Sequence, residues 1–331
     1  MLYIETERKD AAFHFSVEEY FMRNLPSDEP LIMIWQTRPC VMLGNYQIPD
    51  AEIDVRYAQE AGIQIVRRSS GGGTIFTDLG TLLYTMILPH TKAQYPQQFA
   101  REMVAGLAIN ALNEMGIPAK VEGRNDILVD GKKVSGMAQY ARHGRICTHG
   151  SLLYDADLEM LTRVLRVDAD KIRSKAVCSV RSRVANLKEY MNDGCSTREF
   201  WERFQQNLFM DRQVYRYELS NHELTQIDQI CHEQYGNPAW TIGRTPRFSF
   251  HNSKRFTGGK VEVFLDIIEG IVASCAIRGD FLGTVPICNL EEQMEGRTFQ
   301  YQSFDSALRE ISLIPFLGDI TKEQLLSCIF E

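Results

Sequence analysis

Three short runs hold the residues best suited to chemistry. In RRSSGGGTIFTDLG (67–80) a run of strand-forming residues ends in Arg67-Arg68 and passes into Gly71, Gly72 and Gly73. Glycines let a ligand approach backbone N–H groups closely, and the adjoining guanidinium groups favour an anion or carboxylate there. The spacing matches neither GxxxxGK[ST] nor GxGxxG, so it indicates neither a Walker A loop nor a dinucleotide fingerprint. In GRNDILVDGKKVSGMAQY (123–140), Asn125-Asp126 opens one strand and Lys132-Lys133 opens its partner across Asp130-Gly131, the signal for a type I′ turn. Strand alternation sends the two lysines to opposite faces, so only one can enter a pocket. It puts Lys133 on the face of Ser135 and Lys132 on that of Val134. The third run, THGSLLYDADL (148–158), sets His149 in an apolar strand two residues after Cys147.

Elements of alternating type must position these groups. FHFSVEEYFMRNL (13–25) reads as an amphipathic helix ended by Pro26, followed by short strands in PLIMIWQ and CVMLG, a helix over 54–61 and the strand IQIVRR. Apolar residues at helical spacing from Val104 to Met115 predict a helix over 95–116 with Gly116 as its stop. RICTHGSLLY is the third strand of the 123–140 meander, and helices follow near 157–166, 197–209 and 222–235. Pro238, Gly243 and Pro246 then break every pattern. Beyond them, VEVFLDI and IVASCAIRGD form a hairpin about Glu269-Gly270, with helices near 303–311 and 321–330.

The 331 residues exceed the ~150 of a typical domain and divide into a catalytic domain, 1–246, and a small C-terminal α+β accessory domain, 247–331. With 36 Lys+Arg against 43 Asp+Glu the net charge is −7, which argues against a surface built for nucleic acid. The charged opening MLYIETERKD and the lack of a long apolar run predict a cytoplasmic protein without a membrane span. Eight cysteines lie far apart without a CxxC, and His232-Glu233 fails the HExxH pattern because Gly236 stands at its second histidine. No protein-borne metal cage is predicted.

Taken in order, FSVEEY, PCVMLGNYQ, RRSSGGGTIFTDLG, GRNDILVDGKKVSG, HGSLLYDADL and SVRSRVANL resemble the lipoate-protein ligase family over most of the chain. Asn45, Thr74 and Thr77 depart from residues usual in that family. The resemblance implies an α/β (α+β) fold: a biotin/lipoate-ligase-like sheet domain packed with helices, plus the accessory domain of the long, single-chain ligases. It implies the substrates ATP and (R)-lipoate, with Mg²⁺, and formation of lipoyl-AMP. It implies transfer to a lysine of a lipoyl-acceptor domain, an E2 subunit of a 2-oxoacid dehydrogenase or the glycine-cleavage H protein.

By the same resemblance Lys133 is the catalytic cation, shared by both substrates. Arg68, Gly73, Thr74, Ile75, Phe76, Asn125 and Asp126 meet ATP, with Asp126 toward Mg²⁺. Gly71, Gly72, Ser135, Gly136, His149, Gly150 and Ser151 meet lipoate. The stretch Lys171 to Lys188, basic and free of acids, is expected to cover a phosphate or to steer an acidic acceptor domain. The accessory domain is expected to move between half-reactions about a hinge near Gly243 to Pro246. Two alternatives stand beside this reading: an octanoyl or lipoyl acyltransferase using Cys147 as a thiol nucleophile, and a non-catalytic lipoyl-binding partner subunit.

Overall fold

The computed structural model describes residues 1–25, 29–89, 96–123, 125–166, 183–191, 193–243 and 248–330. Most of the basic 171–188 stretch thus lies outside the described residues, as do Pro246 and its neighbours. The chain folds around an eight-stranded mixed sheet whose strand order is Tyr215–Arg216, Leu2–Ile4, Leu31–Trp35, Thr81–Pro89, Arg145–Leu153, Lys132–Arg142, Asp126–Val129 and Lys120–Glu122. The first three strands run parallel and every later pairing is antiparallel.

Each face of this sheet is covered. On one side Ile32, Ile34, Leu82, Met86, Ile127 and Val134 pack with helices Pro96–Glu114 and Thr197–Phe209. Leu31, Met33, Trp35, Leu83, Ile87 and Cys147 pack on the other with helix Ala11–Asn24 and with Ile227 of helix Asn221–Ile230. The helix starts follow from side-chain caps: Asp10 accepts from Phe13 N, and Ser196 and Ser220 each form a capping box with the glutamate three residues on. Asp130-Gly131 has φ of 49° and 75°, the pair of positive values that a type I′ turn requires, and His143-Gly144 repeats it at 53° and 71°.

A second, three-stranded sheet carries the glycine run. Cys40–Leu43 lies between Gln64–Arg67, parallel to it, and Ile75–Thr77, antiparallel, so residues 68–74 form the connection between the two outer strands. The C-terminal part is an antiparallel meander of Phe250–Phe256, Gly259–Ile268 and Ile271–Gly279, with helices Tyr301–Leu308 and Lys322–Phe330 closing its core. Among the described residues no helix is long and apolar enough to cross a membrane.

His14 shows what the core demands of its polar groups. Its ring is fully buried and stacks on Trp35 at 4.5 Å, and Nδ1 donates to the Asp10 carbonyl while Nε2 has no hydrogen-bond partner among the described residues. Burial pushes its pKa from 6.5 down to about 3. A group depressed in the folded state binds its proton more readily when unfolded. Its contribution is therefore complete above pH 6.5 and is lost as the pH falls toward 3. Urea unfolding from pH 7 to pH 5 should show a loss of roughly 2 kcal/mol from this residue. In His14→Phe that pH slope should flatten; an unchanged slope would show that other groups set it.

Candidate functional site

The site is built on the sheet face turned toward helix Ala11–Asn24. Directly opposed residues of antiparallel strands share a face. The register pairs Gly136 with Ser151, Ala138 with His149 and Tyr140 with Cys147, so these six lie on one surface. Lys133 joins them through a β-bulge. The ladder pairs Asp126 with Gly136, Ile127 with Ser135, then Leu128 with Lys133, leaving Val134 as the extra residue. The bulge corrects the parity expected from simple alternation: Lys133 shares its face with Asp126 and Gly136, and Ser135 falls on the opposite face with Lys132.

The contacts agree with this. Lys133 Nζ lies 2.7 Å from Asp126 Oδ1, both about a third exposed, whereas Lys132 points to Glu189 at 3.8 Å. Gly136 is a glycine for a local reason, because a Cβ there would stand 2.9 Å from Lys133 Nζ and 3.1 Å from its Cε. Asn125 takes a supporting position: its Nδ2 donates to Met137 O, and its own carbonyl accepts from Met137 N, which locks the strand end beneath Asp126.

The glycine loop lies over Ala138 and His149 on the same face. A Cβ on Gly72 would come within 4.0 Å of Ala138 Cβ, and Ser70 Oγ is 2.7 Å from His149 Nε2. Arg68, which the sequence offers as a phosphate ligand, is 4% exposed and spends its donors on the loop itself. Nε donates to Ser70 Oγ, Nη1 to Met42 O, and Nη2 to Gly71 O and Gly73 O. Burial lowers its pKa to about 10, with Glu18 opposing the shift, so it stays cationic at neutral pH. Arg67 is fully buried and donates to the carbonyls of Gly44, Asn45, Gln47, Trp240 and Thr241. Thr74 Oγ1 donates to Gln47 Oε1, which also accepts from Gly44 N.

Four of the sequence-derived residues are placed away from this surface or offer it only backbone. The Phe76 side chain is 1% exposed in the core with Val41, Leu43 and Ile53, and its backbone pairs with Val41. Ile75, partly buried, pairs with Met42. Ser135 and Gly150 lie on the far face, where a Cβ on Gly150 would run into the Tyr84 ring.

Residues that the sequence motifs did not single out complete the site. Glu18, 1% exposed, faces His149 Nδ1 at 3.1 Å and accepts from Thr85 Oγ1, to which Trp35 Nε1 donates. With the imidazole neutral, Arg68 donates to Ser70, Ser70 to His149 Nε2, and His149 Nδ1–H to Glu18, so a hydrogen-bonded chain links a buried cation to a buried anion. An acid at the centre of an otherwise apolar helix, FSVEEY, is the signal that could have found Glu18. Tyr235, 1% exposed, shares a 2.7 Å hydrogen bond with Ser69 Oγ.

Glu18, Cys147 and His149 bring three potential metal-ligand atoms within 4.8 Å, a group no sequence spacing foretells. Hydrogen bonds already account for the imidazole and the carboxylate. Burial and the neighbouring Glu18 push the Cys147 thiol well above its ordinary pKa, so it is not a ready nucleophile.

The segment that follows the C-terminal meander reaches this site. Gly72 N donates to Phe281 O, Ala141 N to Thr284 O, and the Tyr46 hydroxyl to Val285 O. A Cβ on Gly71 would sit 2.5 Å from Phe281 O. Beside these contacts is a cleft of about 290 Å³ lined in part by Asn45, Ser69, Tyr140, Arg142, Trp240 and Arg278. The Tyr140 hydroxyl is buried without a hydrogen-bond partner among the described residues.

Residues 10–209 match the lipoyl protein ligase A/B catalytic domain, and residues 245–329 match the bacterial lipoate protein ligase C-terminus. The lipoate-protein ligase LplJ of Bacillus subtilis (strain 168) is 34% identical over 334 residues, covering 100% of both chains. The chain belongs to the lipoate-protein ligase family. Solved structures agree on the fold of this enzyme family. The P. falciparum LipL1 structure in complex with lipoate superposes with a TM-score of 0.77 at 21% identity over 94% of both chains. A lipoate-protein ligase A bound with ATP gives 0.62 at 23% identity, covering 74% of this chain and 98% of that one. A bi-partite lipoate protein ligase from Thermoplasma acidophilum, described with its E2 lipoyl domain, gives 0.64 at 24%, covering 75% and 98%.

Thiol alkylation tests the state of Cys147 directly. Iodoacetamide at pH 8 should label the exposed Cys288 and spare Cys147 until the protein is unfolded, as read by peptide mass. Cys147→Ser should keep most lipoate ligation; rapid native labelling of Cys147 would revive a thiol mechanism.

Proposed function

We propose that this enzyme joins lipoate to protein in two steps on the Lys133 face. The lipoate carboxylate oxygen attacks the α-phosphorus of ATP, the bond to the β-phosphate oxygen breaks, and pyrophosphate leaves lipoyl-AMP behind. The amine of an acceptor lysine then attacks the mixed-anhydride carbonyl, sheds a proton and expels AMP, which leaves an amide. The observation that carries this reading is the Lys133–Asp126 pair. A cation fixed by one carboxylate at 2.7 Å lies beside a glycine that clears room for it, on the same face as the glycine loop.

Charge builds on the α-phosphate oxygens during the first step, and a preorganised cation that reaches both carboxylate and phosphate lowers that barrier. The backbone of Gly73, Thr74 and Ile75 would meet the nucleotide. Arg68 would serve it indirectly, by holding the carbonyls of Gly71 and Gly73 and with them the course of the loop. Gly71, Gly72, Gly136, His149 and Ser151 line the lipoate side. Asp126 is a partly exposed carboxylate that suits a Mg²⁺ carried on ATP, which would supply charge neutralisation at the phosphates. Binding of lipoate and of ATP is supported by the relatives solved with each of these molecules. Acceptance by E2 subunits is supported by the archaeal ligase described with its E2 lipoyl domain, and the glycine-cleavage H protein enters the proposal through the family resemblance alone.

The division into a catalytic part, 1–246, and an accessory part, 247–331, belongs to this proposal, as does movement of the second between half-reactions. Phe281 O holds the Gly72 N–H that an anionic substrate would otherwise take. With one probe in each part, adding lipoate and ATP should change the distance between them; a constant distance through both half-reactions would refute the movement.

Lipoate-dependent release of pyrophosphate from ATP tests the reaction. Lys133→Ala should lower it by at least ~100-fold, whereas Lys132→Ala should stay within about threefold of wild type. Gly136→Ala should fold normally, because only the flexible end of Lys133 must yield, yet lose roughly tenfold as the cation is displaced. Equal losses in the two lysine variants, or pyrophosphate release without lipoate, would overturn the assignment.

A further inference from the structure

The segment between the two family matches, residues 210–244, contains a local irregularity directed at the glycine loop. Helix Asn221–Ile230 ends in a π-helical turn, Cys231–Tyr235, closed by Gly236 N donating to Cys231 O at 2.7 Å. A π turn admits one extra residue and rotates the succeeding side chains by about 100° relative to a regular helix. Here it turns Tyr235 inward among exposed neighbours, His232 and Glu233, against Phe15 and onto Ser69 Oγ.

The chain then forms the short helix Pro238–Thr241, started by Asn237 capping Ala239 N and by proline at its first turn. This turn is tied to the strand that leads into the loop. Trp240 Nε1 donates to Arg67 O at 2.9 Å, and the Arg67 guanidinium donates back to Trp240 O and Thr241 O. These contacts hold Arg67 and Ser69, the residues that flank Arg68.

We infer that Tyr235 and Trp240 are positioning residues that set the shape of the glycine loop through Ser69 and Arg67. They touch no reacting atom. Their effect is to fix the direction of the loop's N–H groups before substrate arrives, so that binding does not have to order them. The inference rests on the ligase reading for its kinetic consequence but not for its structural one.

The test therefore has two arms. In the first, amide hydrogen exchange of residues 69–73 is followed in the full chain without substrates. Tyr235→Phe removes one hydroxyl and Trp240→Phe one N–H donor while both keep an aromatic ring. Each should speed exchange of the loop amides about fivefold, as the loss of a single buried hydrogen bond would. In the second arm, both variants should raise the KM for lipoate-dependent pyrophosphate release about fivefold with kcat within about twofold. Ser69→Ala combined with Tyr235→Phe should cost no more than either alone, since both remove the same bond. A lowered melting temperature with unchanged loop exchange and unchanged KM would assign these residues to stability and overturn the inference, as would additive losses in the double variant. If wild-type protein releases no pyrophosphate with lipoate, the ligase reading fails and the exchange arm still decides this one.

Discussion

The glycine loop keeps its shape because a buried guanidinium, that of Arg68, binds its carbonyl oxygens while that of Arg67 holds the turn beside it. A charge out of water is costly unless each of its hydrogens finds a partner and an opposite charge lies near. Arg68 comes close to both conditions, with four hydrogen bonds for its five N–H groups, to Ser70, Met42, Gly71 and Gly73, and with Glu18 joined to it through Ser70 and His149. Arg67 does the same for the neighbouring turn with carbonyls from residues 44–47 and 240–241. Of the peptides so held, Gly71–Gly72 turns its N–H to Phe281 O and Gly44–Asn45 turns its own to Ser70 O. The two arginines thus shape the loop and its neighbouring turn from within, without presenting their own charge at the surface.

Absent side chains matter as much to this geometry as present ones. A Cβ on Gly44 would collide with Gly72 O and a Cβ on Gly71 with Phe281 O, so the loop nests between the turn after Cys40–Leu43 and the segment that follows Ile271–Gly279. Gly136 clears Lys133 and Gly150 clears Tyr84, on opposite faces of one sheet. The bulge at Val134 decides which face receives the cation. Had the strand alternated without it, Lys133 and Gly136 would have faced opposite ways and the ion pair with Asp126 could not form.

Much of the fold was legible because its signals are local. Helix Ala11–Asn24, the Asp130-Gly131 and Glu269-Gly270 hairpins and helix Pro96–Glu114 with its Gly116 stop are each written in periodicity or turn chemistry over a few residues. The strand Thr81–Pro89 was not legible, although it lies inside the sheet. Buried on both faces, it has no alternation to read. Edge strand Phe250–Phe256 has too polar a sequence to declare itself. At the site, the motifs gave Lys133, Asp126, Gly136, His149 and the glycines. They did not single out Glu18, although FSVEEY contains it, or Tyr235, and the roles of both depend on partners 131 and 166 residues away.

That separation explains how the parts are assembled. Lys133, Asp126 and Gly136 are close in sequence, so one hairpin with one bulge brings them together, and outside it the Lys133 backbone is held by Val184 and Ala185. The glycine loop draws on more segments, and more distant ones. Two of its carbonyls answer to Arg68, its Ser70 to a histidine and an acid on two other elements, its Ser69 to the 231–241 segment and its Gly72 to Phe281 beyond the C-terminal meander. Lys133 therefore faces a loop whose geometry is set by several distant segments at once. On the proposed two-step reading, a site that binds a nucleotide, releases pyrophosphate and then admits a protein lysine to the same atoms would take its cation from the hairpin and the shape of its opposite wall from those segments, so a movement that freed the Gly72 N–H from Phe281 O would alter the wall while the Lys133–Asp126 pair kept its partners.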